Sequence, residues 1–180
     1  MAESLRRFTD FFISVGAEKV AHTEKSYLAH AIGVYNDLKK WGCQDDVCLA
    51  GMYHSIYGTE RFQGFTLPLD RRDDVCELIG ERAEQLAYWN CAMDRESFDE
   101  VVAIDESPYS ITDRITKEQV EISRVDFDDL CRIHLCDWVE QAPRAIDSEY
   151  RREAYQRIAD RLGGVAQESF NHLIAKYAAG

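Results

Sequence analysis

The sequence predicts a mainly α-helical fold interrupted by one small β-hairpin, and three observations predict it. Apolar residues recur at threes and fours through most of the chain. Helix-stop signals punctuate those stretches, as where Lys39 and Lys40 precede Gly42. A single segment, YSITDRITKEQVEIS at 109–123, instead alternates β-branched or aromatic residues with polar ones around Asp113 and Arg114. With 180 residues, 46% of them hydrophobic and only three prolines, the chain is expected to form one folded domain over 1–180.

Phe8, Phe11, Phe12 and Val15 share a helical face and the stretch stops near Gly16, so a first helix over 3–15 is expected to pack as a lid on the rest. The stretch SYLAHAIGVYNDLKKWG places Tyr27, Leu28, Ala31, Val34, Tyr35 and Leu38 on one face of a second helix, with His30 beside them. In QDDVCLAGMYHSIYG, Asp45 or Asp46 caps an almost wholly apolar helix over 47–57, which calls for central burial. His54 and Ser55 then emerge from the middle of the protein.

Residues 61–72, with Gly64 and Pro68, have no sustained period and read as a loop long enough to border a pocket. Two helices follow, at about 72–79 and 81–93, after which the helical pattern fails until the hairpin; Asp94 and Arg95 read as a buried ion pair or as the end of the second helix. Phe127, Leu130, Cys131, His134, Leu135 and Trp138 mark the inner side of a further helix that ends at Pro143. A charged outer helix over 147–162 and a short one over 165–177 complete the chain.

Composition narrows the partners. A formal net charge of -12, from 21 basic and 33 acidic residues, argues against a nucleic-acid backbone. The six cysteines form no C-x-x-C pair and read as reduced core thiols. No run approaches the ~20 apolar residues of a membrane span, and the N-terminus has no signal-like apolar region, so a soluble, cytoplasmic protein is expected.

His30, His54 and Asp137 are good ligand types carried by three separate helices. Two imidazoles and a carboxylate suit Fe, Mn, Co or Zn and leave positions open for water or substrate. Taken singly, each histidine reads more readily as a hydrogen-bonded core residue.

One run narrows the choice: Trp41 and Gly42, Val47, Ala50 and Gly51, then His54 to Glu60 and Phe62, followed much later by IHLCDWVEQ. In these residues the chain resembles the helical HD superfamily of metal-dependent phosphohydrolases. It is most similar to a small HD-related family with an HSxYGTExF motif, and more distantly to the alarmone (ppGpp) hydrolase domain. The resemblance implies an HD-like helical bundle in which His30 is the first histidine ligand, His54 the histidine of the HD pair and Asp137 the final aspartate. Ser55 stands where that family has its aspartate ligand, and a hydroxyl binds a cation less well than a carboxylate does.

A replacement ligand is sought in Glu60, His134 or His22. Glu60 is also a candidate general base, Ser55 a candidate catalytic position, and Arg72, with Arg71, a candidate anion holder. The bland readings are a solvent-facing turn residue for Glu60 and helix-end surface charge for the arginines. Gly58 and Thr59 occupy the positions of the alarmone hydrolases' catalytic acid pair, which counts against that particular activity. Tyr53, Tyr57 and Trp138 line a pocket or belong to the core.

The expected function is hydrolysis of a small phosphorylated or otherwise anionic molecule at an Fe, Mn or Zn centre. An Fe-dependent oxygenase-type HD protein and a non-catalytic ligand- or protein-binding HD domain are the alternatives. A homo-oligomer is left open.

Overall fold

Three side-chain caps fix where the principal helices begin. Ser26 Oγ accepts from the Ala29 amide at 3.2 Å and opens α2 (Tyr27–Lys40); Ser123 Oγ accepts from Asp126 at 3.1 Å and opens α7 (Arg124–Gln141). The third, Asp94 Oδ1, accepts from Ser97 at 2.9 Å and opens α6 (Arg95–Ile104). In the computed structural model, residues 2–22, 25–144 and 150–178 are described.

The other helices are α1 (Ala2–Ser14), α3 (Asp45–Met52), α4 (Arg72–Ile79), α5 (Glu81–Ala92), α8 (Arg152–Leu162) and α9 (Gly164–Ala178). Strands β1 (Ala21–His22) and β2 (Lys25–Ser26) form a two-residue antiparallel ladder ahead of α2. Strands β3 (Tyr109–Thr112) and β4 (Gln119–Ile122) form the predicted hairpin, in the register Tyr109 opposite Ile122 and Thr112 opposite Gln119. The fold is thus a mainly α-helical bundle carrying a small two-stranded hairpin. Among the described residues no helix is long and apolar enough to cross a membrane.

The hairpin is anchored from its buried face. Tyr109 stacks on Phe127 of α7 at 4.9 Å, and Phe127 meets Phe98 of α6 at 5.3 Å. At its tip, Asp113 accepts from the Ile115 and Thr116 amides at 2.7 and 3.0 Å and from the Tyr88 hydroxyl at 2.8 Å, an Asx-type turn that ties the loop to α5.

α2, α3 and α7 pack together around the centre, and α5 backs α3. Gly51 lets α3 approach α2 closely: a Cβ there would overlap Leu38 Cδ1 and lie 3.3 Å from Val34 Cγ1. Gly51→Ala is therefore expected to destabilise the protein by about 1–3 kcal/mol, read from a urea midpoint, because both neighbours are fully buried and cannot give way freely. On the outside, Arg82 of α5 donates to Asp46 at 2.6 Å, Asp126 at 2.9 Å and Asp129 at 2.7 Å, joining α3, α5 and α7.

Three expectations need correction. The helix at 47–57 ends at Met52 and continues as turns, because His54 competes for its backbone. Its Nδ1 donates to the Gly51 carbonyl at 2.7 Å, and its own carbonyl is taken by Asn90 Nδ2 at 2.7 Å and Cys91 Sγ at 3.2 Å. The stretch after 93 is helical, with Asp94 as the cap of α6 rather than an ion-pair partner and Phe98 and Val102 on its buried side. The helix expected over 147–162 runs over Arg152–Leu162, while 145–149 lie outside the described residues.

All six cysteines are free, and Cys48, Cys91, Cys131 and Cys136 are buried. Burial pushes the Cys48 and Cys91 thiols up to about 12, so they are inert packing groups at neutral pH.

Candidate metal centre

His30 comes from the first turn of α2, His54 from the turn just past α3, and Asp137 from the fourth turn of α7. All three are buried, at 0%, 1% and 6% exposure. His30 Nε2 lies 3.3 Å from His54 Nε2 and 3.0 Å from Asp137 Oδ1, and His54 Nε2 lies 3.3 Å from the same oxygen. The two imidazole planes cross at 83°.

The other edge of each ring decides what these atoms are. His30 Nδ1 is 2.6 Å from Glu140 Oε2, and His54 Nδ1 is 2.7 Å from the Gly51 carbonyl oxygen. Both partners are acceptors, so both Nδ1 atoms carry hydrogen and each ring, when neutral, presents an Nε2 lone pair. Three acceptors therefore converge within 3.3 Å of one another, an arrangement that repels itself unless positive charge sits among them.

A proton can supply that charge. Burial alone would push the His30 imidazole down, but the Asp137 and Glu140 carboxylates outweigh it and raise it to about 9. Burial likewise works to raise Asp137, yet the imidazoles of His54 and His30 hold it well below the usual carboxylate range. A divalent ion can supply the charge as well, and the residues fit one. Ligand atoms each about 2.0–2.2 Å from a common ion stand about 3.0–3.5 Å apart, which matches the triangle, and two nitrogens with one oxygen suit Fe, Mn or Zn.

Behind His30 the support is ionic. Glu140 accepts from Lys25 Nζ at 2.8 Å and from Arg144 at 2.6 Å. Burial would raise its carboxyl, but His30 and Lys25 bring it down to about 2. Gly33 makes the room, since a Cβ there would lie 2.7 Å from Glu140 Oε1. A carboxylate behind a ligating histidine fixes its tautomer and its aim. Asp137 Oδ1 in turn accepts from Gln141 Nε2 at 3.0 Å.

The other residues singled out from the sequence lie apart from this triangle. Ser55 is buried and its Oγ donates to the Tyr27 hydroxyl at 3.3 Å. His134, one turn before Asp137, accepts at Nε2 from Arg151 at 2.9 Å and packs its ring on Phe98 and Tyr155. Burial and Arg151 hold its imidazole well below the usual range, so it is neutral. His22 lies in β1 and its side chain is outside the described residues.

Glu60 is exposed, and its Oε2 accepts from the Arg95 amide at 3.1 Å. It borders a cavity of about 440 Å³ shared with Arg95, Asp99, Tyr150, Arg151 and Arg157. Arg72 is committed elsewhere: its Nε and a terminal nitrogen each lie 2.7 Å from Glu84, and its guanidinium covers the Tyr88 ring at 3.7 Å. Arg71 pairs with Asp74 at 2.7 Å. Tyr57 donates to Glu84 and Tyr53 to the Phe8 carbonyl, each at 2.8 Å, while Trp138 stacks on Tyr155 at 4.7 Å. These aromatic residues belong to the core.

Sequence reasoning missed Glu140, Gly33 and Tyr27. A signal existed for two of them: Glu140 follows Asp137, and Tyr27 precedes His30, by three positions on one helix, the spacing of same-face neighbours.

Residues 11–95 match the family model of a domain of unknown function, DUF6817. The matched stretch contains His30 and His54 and ends before Asp137. No curated protein and no solved structure matches the chain.

Proposed function

We propose that His30, His54 and Asp137 hold a divalent transition metal ion, Fe, Mn or Zn, and that the protein is a divergent HD-type hydrolase of a small phosphorylated or otherwise anionic molecule. One observation carries the metal reading: three acceptor atoms meet within 3.3 Å while both histidines spend their Nδ1 hydrogens on other partners. An ion in such a place supplies Lewis acidity and lowers the pKa of a bound water.

The protein's own groups do the rest. Glu140 and the Gly51 carbonyl keep the two rings aimed, Asp137 contributes the negative charge, and burial keeps bulk water from competing. An anionic substrate finds support in the cavity beside Glu60, whose volume of about 440 Å³ suits a small molecule. Arg95 and Arg157 offer it guanidinium groups, while Arg151 is paired with Asp99 and the lining also carries Glu60, Glu96 and Glu100. In this reading Arg95 and Arg157 hold the anion in place of Arg72, and Glu60 at the rim is the candidate carboxylate to take a proton.

A second reading, a domain that binds its ligand without turnover, is favoured by Ser55, whose hydroxyl supplies neither charge nor a strong ligand. Iron-dependent oxidation shares the donor set of two histidines and one carboxylate.

The test is metal content of protein purified without chelator and supplemented with Fe, Mn and Zn. Wild type is expected to carry about one ion per chain and His54→Ala to carry none. A metal-free wild type that folds normally overturns the reading. Phosphate release by the loaded wild type, against none by H54A, separates the hydrolase from the binding domain, and oxygen uptake instead would identify oxidation.

A further inference from the structure

We propose that the Tyr27 hydroxyl, seated against Ser55, is a fourth protein ligand of the His30–His54–Asp137 centre and binds the metal as a phenolate. The inference rests on the metal reading above and extends it to a residue outside the triangle. Tyr27 lies three residues before His30 on α2, so the two side chains leave the same face of the helix. Glu-x-x-His pairs in helical bundles use this spacing to bring two side chains to one ion.

From the other side, Ser55 directly follows His54 and donates to the Tyr27 hydroxyl at 3.3 Å, so the phenol meets the segment that carries a second ligand. Tyr27 is fully buried, and its ring is held by Phe12 at 5.5 Å, Phe62 at 5.2 Å and Phe65 at 6.0 Å. The hydroxyl is therefore fixed at the end of a wedged ring.

Charge gives the reason for a phenolate. A divalent ion with Asp137 alone leaves one uncompensated positive charge in a site with no exposed ligand, and Glu140 is already shared among Lys25, Arg144 and His30. A phenolate neutralises that charge, its proton passing to solvent as the ion binds. Burial keeps the phenol protonated otherwise, and Asp137 is among the charges acting in the same sense. Size gives a second reason: a carboxylate at position 55 would reach one atom beyond the serine oxygen, into the space the Tyr27 hydroxyl fills.

The experiment loads apoprotein with iron(II), oxidises it in air, and records visible and resonance Raman spectra of wild type, Tyr27→Phe, the double variant Y27F/S55D and H54A. A phenolate-to-iron(III) charge-transfer band with tyrosinate ring modes is expected in wild type. Y27F should lose the band and bind iron about 10- to 100-fold more weakly, and Y27F/S55D should regain most of the affinity without the band. Wild type that binds iron in an H54A-sensitive way but shows no tyrosinate modes overturns the role of Tyr27 and leaves the triad standing. Wild type that binds no iron overturns both. Should Y27F fail to fold, the wild-type Raman spectrum alone decides.

Discussion

Met52→Asp is expected to lower the stability by more than ~3 kcal/mol, the largest effect of any single change considered. Met52 is fully buried at the last turn of α3, two residues before His54. A carboxylate there meets an apolar surround and must either take up a proton or push α3 away from α2. Both outcomes lower the urea midpoint, and displacement of α3 also separates His54 from His30, so any metal binding should fall with it. A midpoint close to wild type would show that α3 is not central.

Arg72→Met should cost about 3 kcal/mol, because it strands a buried carboxylate. Glu84 keeps only 6% of its side chain exposed and would be left with the Tyr57 hydroxyl as hydrogen-bond donor. The double variant R72M/E84L should recover much of the loss, since exchanging both members of a buried pair for apolar groups is far milder than removing one. Denaturation of the two variants measures this, and metal binding by R72M should match wild type. If R72M keeps its midpoint and loses substrate turnover, Arg72 is an anion holder after all, as the sequence had suggested.

The cases of Arg72 and α3 show what a sequence does and does not disclose. Apolar periodicity placed α2, α4, α5 and α7 because a buried stripe leaves its spacing in the chain. The hairpin was equally legible, since Tyr109, Ile111 and Ile122 alternate with polar residues on the open face. The end of α3 was not, because the groups that unwind it, Asn90 and Cys91, arrive from a helix more than thirty residues away. Helix α6 was overlooked for a local reason: its buried face is short, carried chiefly by Phe98 and Val102, and its cap at Asp94 looked like a charge.

At the centre, residue chemistry alone marked His30, His54 and Asp137 as ligand types, and the fold brings their donor atoms together. The partners that give those atoms their roles were harder to see. Glu140 matters because Lys25, Arg144 and Gly33 hold it against His30, an arrangement that exists only once α2 and α7 have packed. Arg72 misled for the converse reason: its sequence neighbours are acidic, while its real partner, Glu84, lies twelve residues on.

The anchoring of His54 has a consequence for which ions the centre accepts. Its ring is tied to Gly51 and its carbonyl to two side chains of α5, so the ring cannot slide outward without breaking bonds on both sides. His30 is braced in the same way by Glu140. A calcium ion, which needs oxygen ligands at about 2.3–2.6 Å and several of them, would have to spread a triangle whose corners are held by the Gly51 carbonyl and by the Glu140 and Gln141 side chains. On the proposed metal reading the bundle would act as a size filter, favouring small transition ions over larger ones by the stiffness of the frame as much as by the chemistry of the ligands.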